Sequence, residues 1–203
     1  MSYYREISDS DGKELVQAAR LIVTEFLTSK NKKKLSDDFQ SKFSFKSGVF
    51  VTLSDRTGLR GCIGFPLPQK SLCDALVDAA IAASTEDPRF SEVKQSELNE
   101  ITFEVTVLTP PIEIKVSNTL EYPAKIKVGR DGLIVKYNSF SGLLLPQVPL
   151  EYEWTEEEFL GHTCKKAGLP TDIWKDPRAE ILRFEGIIFK EETPNGKVIQ
   201  QKL

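Results

Sequence analysis

Six consecutive residues, Leu59-Arg60-Gly61-Cys62-Ile63-Gly64, bring a nucleophile, a cation and two glycines into one short run. In an extended chain Arg60, Cys62 and Gly64 share one face, and Leu59, Gly61 and Ile63 share the other. Arg60 and Cys62 then stand roughly 6.5–7 Å apart along the strand. A guanidinium at that range favours thiolate over thiol, and the thiolate is the form that attacks or binds. Gly64, on the far side of Cys62, leaves space beside the sulfur for a small ligand or another stretch of backbone. A plainer reading fits the same residues. Cysteine often packs as a small buried hydrophobe, and strand glycines often mark a bulge or close packing.

A reactive thiol commonly has a base beside it. The sequence holds one histidine, His162. It sits in a helical stretch where Leu160, Cys164 and Ala167 form an apolar stripe, about 200° around the helix from Leu160. His162 therefore points away from the core that Cys164 enters, and Cys62–His162 is a candidate dyad. Its plainer alternative is an ordinary surface or interface histidine. Cys73 and Cys164 fit apolar helix faces and read as core. Two carboxylates stand out. Glu104 lies with Thr102 and Thr106 on the polar face of an alternating strand and is a candidate general base or ligand-orienting group. Asp87, in Asp87-Pro88-Arg89-Phe90, is a partner for Arg89 or Arg60. A solvated strand face and a loop ion pair are the common alternatives.

These groups need positioning elements. Ser8-Asp9-Ser10 offers caps for a first helix carrying Leu15, Ala19, Ile22 and Phe26 at helical spacing. A polar loop is expected from about Ser29 to Ser47. Two β-rich runs, residues 48–54 and 59–65, flank the turn cluster Asp55-Arg56-Thr57-Gly58 and read as a hairpin. Ser71-Leu72-Cys73-Asp74 starts an almost wholly apolar helix, residues 72–83, of the kind normally buried. Residues 101–108 alternate as a half-buried strand. A second hairpin is expected from residues 125–128 and 133–136. Thr155-Glu156-Glu157-Glu158 is a capping box for a helix that Gly168 and Pro170 close. A last strand covers residues 180–189. Hairpins with helices between them favour α+β over a parallel α/β sheet.

Composition narrows the function classes. The chain has 203 residues, 40% hydrophobic and 28% charged, enough for one domain with a sizeable core. Its net charge of -3 and pI near 5.4 do not argue for a nucleic-acid partner. The one basic cluster, Lys30, Lys32, Lys33 and Lys34, is followed by Asp37 and Asp38 and reads as a solvated loop, with phosphate contact as the alternative. No apolar run reaches the roughly 18 residues of a membrane span. Met1-Ser2-Tyr3-Tyr4-Arg5-Glu6 lacks the apolar stretch of an export signal. Three widely spaced cysteines suit a reducing compartment, so the expected location is cytoplasmic. With one histidine and no Cys-x-x-Cys pair, no metal site is expected. P-loop, G-x-G-x-x-G, G-x-S-x-G and H-E-x-x-H signatures are all missing, which removes support for nucleotide hydrolysis, serine hydrolysis and zinc proteolysis.

The run Gly48-Val49-Phe50-Val51-Thr52-Leu53 followed by Leu59-Arg60-Gly61-Cys62-Ile63-Gly64 resembles the AMMECR family, whose hallmark is that hexapeptide. Asp87-Pro88-Arg89-Phe90, Glu104-Val105-Thr106-Val107-Leu108, Gly129-Arg130-Asp131-Gly132-Leu133 and Leu144-Leu145-Pro146-Gln147-Val148 extend the resemblance, as does the stretch from Trp154 to Trp174. It spans nearly the whole chain. It implies one domain, residues 1–203, with an antiparallel sheet flanked by helices in two unequal lobes. It supplies no activity, since the family is functionally uncharacterised, and it leaves the cofactor unknown. Memo-type and radical-SAM proteins are the pathway partners it suggests. By motif position Arg60, Gly61, Cys62 and Gly64 carry over as the site, with Asp87 and Arg89 behind them. His162 matches no hallmark motif. The leading expectation is a cysteine-centred enzyme or modification factor acting on a small or anionic substrate, with Arg60 stabilising the thiolate and Glu104 or His162 handling protons. The alternative is a non-catalytic ligand- or protein-binding module using the same groove, in which exposed apolar residues around Phe65 and Pro66 matter more than the sulfur.

Overall fold

Side chains expected to start helices do so. Ser8 accepts from the Asp11 N–H at 3.3 Å while the Asp11 carboxylate accepts from the Ser8 N–H at 3.0 Å, a reciprocal cap. Thr155 and Glu158 repeat the arrangement. A computed structural model describes residues 5–201. The N-terminal stretch weighed as an export signal therefore lies mostly outside the described residues. In chain order the elements are α1 (Asp9–Ser29), α2 (Asp37–Lys42), β1 (Gly48–Asp55), β2 (Gly58–Phe65), α3 (Leu72–Thr85), β3 (Thr102–Leu108), β4 (Ile112–Glu113), α4 (Tyr122–Lys125), β5 (Asp131–Tyr137), β6 (Phe140–Leu144), α5 (Val148–Glu151), α6 (Glu156–Lys166), β7 (Glu180–Glu191) and β8 (Val198–Gln201). The fold is α+β, and its strand pairs are antiparallel.

The chain divides into two unequal units. One takes in the described residues up to Leu108 and those from Ile187 onward; the other runs from Thr109 to Gly186. In the first, β1 lies between β2 and β3, and β8 pairs with the end of β7. Alternation sends Val49, Val51 and Leu53 of β1 and Phe103, Val105 and Val107 of β3 to one face, where all six are fully buried. Helices α1 and α3 cover that face with Leu15, Ile22, Leu72 and Leu76. Arg20 of α1 is held in this unit by the Glu191 carboxylate and by the carbonyls of Leu98 and Ile101, at 2.9 and 2.6 Å. In the second unit β5 pairs with β6 and with the start of β7, and α6 packs on β5 and β6. Phe159, Leu160 and Cys164 of α6 join Leu133, Val135 and Ile181 in a separate core. Cys73 and Cys164 are buried, as the helix faces indicated.

Three elements depart from the sequence reading. The loop expected at 29–47 contains α2, capped by Ser36. The hairpin expected from 125–128 and 133–136 is not formed. Residues 122–125 are helical, Gly129 adopts a positive φ of 83°, and the Asp131 carboxylate accepts from the Lys127 N–H at 2.8 Å. That local bonding turns the chain before β5 begins, and the hairpin partner is β6, across the turn at Asn138. Strand β8 follows a short loop that carried no strong pattern.

Candidate functional site

The open face of the first unit's sheet gathers the residues of interest. Thr52 on β1 is directly opposite Cys62 on β2 and Glu104 on β3. One polar side chain from each of three neighbouring strands therefore forms a row across the sheet. The Thr52 hydroxyl donates to the Cys62 Sγ at 3.2 Å. Such closeness fits an antiparallel pair without mutual backbone hydrogen bonds, in which side chains approach most.

That pairing turns the Cys62 backbone outward. The Cys62 N–H donates to Asp87 Oδ2 at 2.8 Å, and the Cys62 carbonyl accepts from Arg89 Nη2 at 3.4 Å. Asp87 and Arg89 thus hold both backbone groups on the outer edge of β2, groups that otherwise invite pairing with another chain. Asp87 is buried, and it also accepts from the Arg89 N–H at 3.1 Å and from its guanidinium at 3.0 and 2.7 Å. The Arg89 guanidinium, with the donated N–H groups, holds the Asp87 carboxyl well below the usual carboxylate range. Of the two partners expected for Asp87, Arg89 is the one it takes.

Arg60 does not share a face with the sulfur as simple alternation required. Leu53 pairs with Gly61 and Ser54 with Leu59, so Arg60 is the extra residue of a β-bulge. Its guanidinium is committed to Glu97, at 2.9 and 3.3 Å, and to the carbonyls of Ser91 and Glu92. The cation acting on the thiol is Arg89. Burial nevertheless dominates and pushes the Cys62 thiol up, the reverse of the expected activation.

Both glycines are filled from within the chain. A Cβ on Gly61 would fall 2.1 Å from the Ala83 carbonyl oxygen, so this glycine lets β2 lie against the end of α3. A Cβ on Gly64 would meet the Val49 carbonyl oxygen at 2.3 Å and the Phe50 ring at 2.5 Å. The space expected there for a ligand belongs to Phe50. Phe65, expected among exposed apolar residues, is half-buried and packs against the core.

Glu104 keeps its place on the polar face. Burial pushes its carboxyl up, opposed by the charge of Lys190 on β7. Among the described residues it makes no hydrogen bond or ion pair. His162 lies on α6 in the second unit, with its ring stacked on Trp154 at 3.8 Å and 3°. The groups acting on the Cys62 thiol are Thr52, Arg89, Glu104 and Asp87. Thr52, Glu97 and Lys190 escaped the sequence reading. Thr52 stood in the Gly48–Leu53 run that precedes the hallmark hexapeptide, but only cross-strand register makes it the neighbour of Cys62. Among the described residues no cluster of three or more His, Cys, Asp or Glu side chains is placed to hold a metal ion, and no helix is long and apolar enough to cross a membrane.

Comparison with known proteins gives this geometry a family setting. The AMMECR1 family model matches residues 16–189. A protein of Methanothermobacter thermautotrophicus is 49% identical over 93% of this chain and 98% of its own. Protein MJ0810 of Methanocaldococcus jannaschii is 47% identical over 98% and 99%. The crystal structure of the uncharacterized protein PH0010 from Pyrococcus horikoshii superposes with a TM-score of 0.86 at 46% identity, covering 97% of this chain and 99% of that one. A family model matched along most of the sequence, with near-full-length relatives close to half identical, makes this chain a member of the AMMECR1 family.

Proposed function

We propose that residues 1–203 work as one AMMECR-type domain, and that its working surface is the row Cys62, Thr52 and Glu104. In this reading the chain is a binding module for a small polar ligand. The observation that carries it is the Glu104 carboxyl, unpartnered among the described residues and pushed toward its uncharged form. Glu104 is half-buried, and carboxyls perturbed by desolvation concentrate at functional sites. A protonated Glu104 donates a hydrogen bond, and the Cys62 thiol beside Thr52 adds a weak donor and a soft contact. The ligand that suits this row presents a carbonyl or carboxylate oxygen, with Lys190 drawing in negative charge. Memo-type and radical-SAM proteins remain proposed pathway partners, to be tested by co-purification.

A second reading makes the site a cysteine-centred enzyme or modification factor. The short Thr52–Cys62 contact in line with Glu104 favours it, with Arg89 taking the role first expected of Arg60 and Glu104 handling protons in place of His162. Alkylation of Cys62 against pH, read by peptide mass spectrometry with Cys73 and Cys164 as controls, separates the two. The binding reading expects slow labelling until above the ordinary thiol range near pH 8.5. Fast labelling at about pH 6 that disappears in Arg89→Ala would overturn it in favour of the nucleophile, since activated thiols titrate well below that range. Phe65→Asp tests folding rather than binding, because Phe65 packs on the core; Glu104→Ala is the informative variant for binding.

A further inference from the structure

A chain of net negative charge surrounds one cavity with four lysines. The cavity, about 620 Å³, is walled by Lys32, Lys33 and Lys34 from the loop after α1 and by Lys70 from the segment before α3. Asp78 of α3 accepts from Lys32 Nζ on one oxygen at 2.8 Å and from Lys70 Nζ on the other at 2.5 Å. One carboxylate thus draws two ammonium groups together without neutralising both. Each ammonium has three donors and spends one on Asp78. Lys33 reaches Glu25 at 3.6 Å, and Lys34 reaches Asp37 at 4.0 Å in a fully exposed pair. Asp74, the other acid in the wall, accepts from the Ser71 hydroxyl at 2.6 Å. Lys33 and Lys34 thus have acids of their own, while Lys32 and Lys70 share the single Asp78 carboxylate, which leaves one positive charge in surplus at that pair.

The rest of the wall is Leu35, Val77 and the Cys73 side chain, with the polar Gln40 beside them. The volume lies within the roughly 300–1,000 Å³ of small-molecule sites. The ammonium donors that Lys32 and Lys70 do not spend on Asp78 match the oxygens of a phosphate, and the apolar side chains match a body with aromatic or aliphatic surface. We propose that this cavity binds a phosphorylated small molecule of the mononucleotide class, with its phosphate between Lys32 and Lys70 and its body against Leu35 and Val77. The cavity shares no residue with the Cys62, Thr52 and Glu104 row, so the two assignments stand or fall separately.

Calorimetric titration of the full-length protein with ADP, alongside alkylation of Cys73, tests the assignment. One saturable site is expected, weakening clearly between about 50 and 300 mM salt as screening rises. Lys32→Gln and Lys70→Gln should each weaken binding about tenfold, the scale of a lost charge-assisted hydrogen bond. Lys13→Gln, at an exposed lysine of α1, should leave it unchanged. ADP should slow alkylation of Cys73 and leave Cys164 unaffected. Unfolding midpoints confirm that the exposed-lysine variants are folded. No heat and no protection with millimolar ADP or pyrophosphate would overturn the proposal. Equal binding by Lys13→Gln and Lys32→Gln would overturn it as well. So would an RNA oligonucleotide that binds more tightly than ADP without protecting Cys73, which would mark a nucleic-acid surface.

Discussion

Removing the Asp87 carboxylate should loosen the edge of the sheet at the cysteine. The side chain is 3% exposed and accepts four hydrogen bonds, one from the Cys62 N–H and three from Arg89. A hydrogen bond to a charged group is worth about 1.5–3 kcal/mol, and Cys62 offers one such bond from a strand N–H. The Arg89 side chain is 55% exposed, so water takes over much of its share and its ion pair adds only about 0–1 kcal/mol. Asp87→Ala should therefore cost about 2–4 kcal/mol. Asp87→Asn keeps an acceptor oxygen and should cost about half of that. Because Arg89 lowers the folded carboxyl below its unfolded value, the contribution is present above the ordinary carboxylate range and lost as pH falls through and beneath it. Urea unfolding at neutral pH and at about pH 3.5 should show the gap between Asp87→Asn and the parent narrowing in acid. Cys62 should also alkylate faster in Asp87→Ala, since the strand edge is no longer tied. A loss below about 0.5 kcal/mol with unchanged Cys62 labelling would refute the idea that Asp87 tethers β2.

Other expectations follow from neighbouring contacts. Gly61→Ala drives a methyl group into the Ala83 carbonyl and should destabilise by about 1–3 kcal/mol or more; Gly64→Ala, against the Val49 carbonyl, should do the same, both read from thermal unfolding. Arg20→Met should cost about 3–5 kcal/mol in urea unfolding, because it strands the Glu191 carboxylate, 3% exposed, without its guanidinium. Glu104 has a folded value raised by burial, so its contribution is fully present below the ordinary glutamate range and is lost as pH rises through the raised value. Glu104→Gln should accordingly become more stable than the parent as pH increases from about 4 to 8, and a constant difference across that range in Tm would count against the assignment.

Much of the fold was legible in the sequence because its signals are local. Ser8 and Thr155 cap helices with their own third neighbours, and the alternation of residues 101–108 put Phe103, Val105 and Val107 on the buried face. The hairpin carrying Cys62 followed from two β-rich runs around a glycine turn. Misreadings arose where a nearby bond competes with a pattern. The Asp131–Lys127 contact turns residues 126–130 away from the strand their β-branched residues suggested.

For the site, the sequence determined the residue types on the open face, Thr52, Cys62 and Glu104, because period-two alternation is a property of each strand alone. Which of them meet was decided by register between strands far apart in sequence. A one-residue bulge moved Arg60 away from the sulfur and gave it to Glu97. The return of the chain after α3 brought Arg89 and Asp87 to the Cys62 backbone. Burial, set by everything packed around the strand, then pushed both the thiol and the Glu104 carboxyl toward their uncharged forms. Desolvation and cross-strand distance are sums over the whole fold, and no short stretch of sequence carries them.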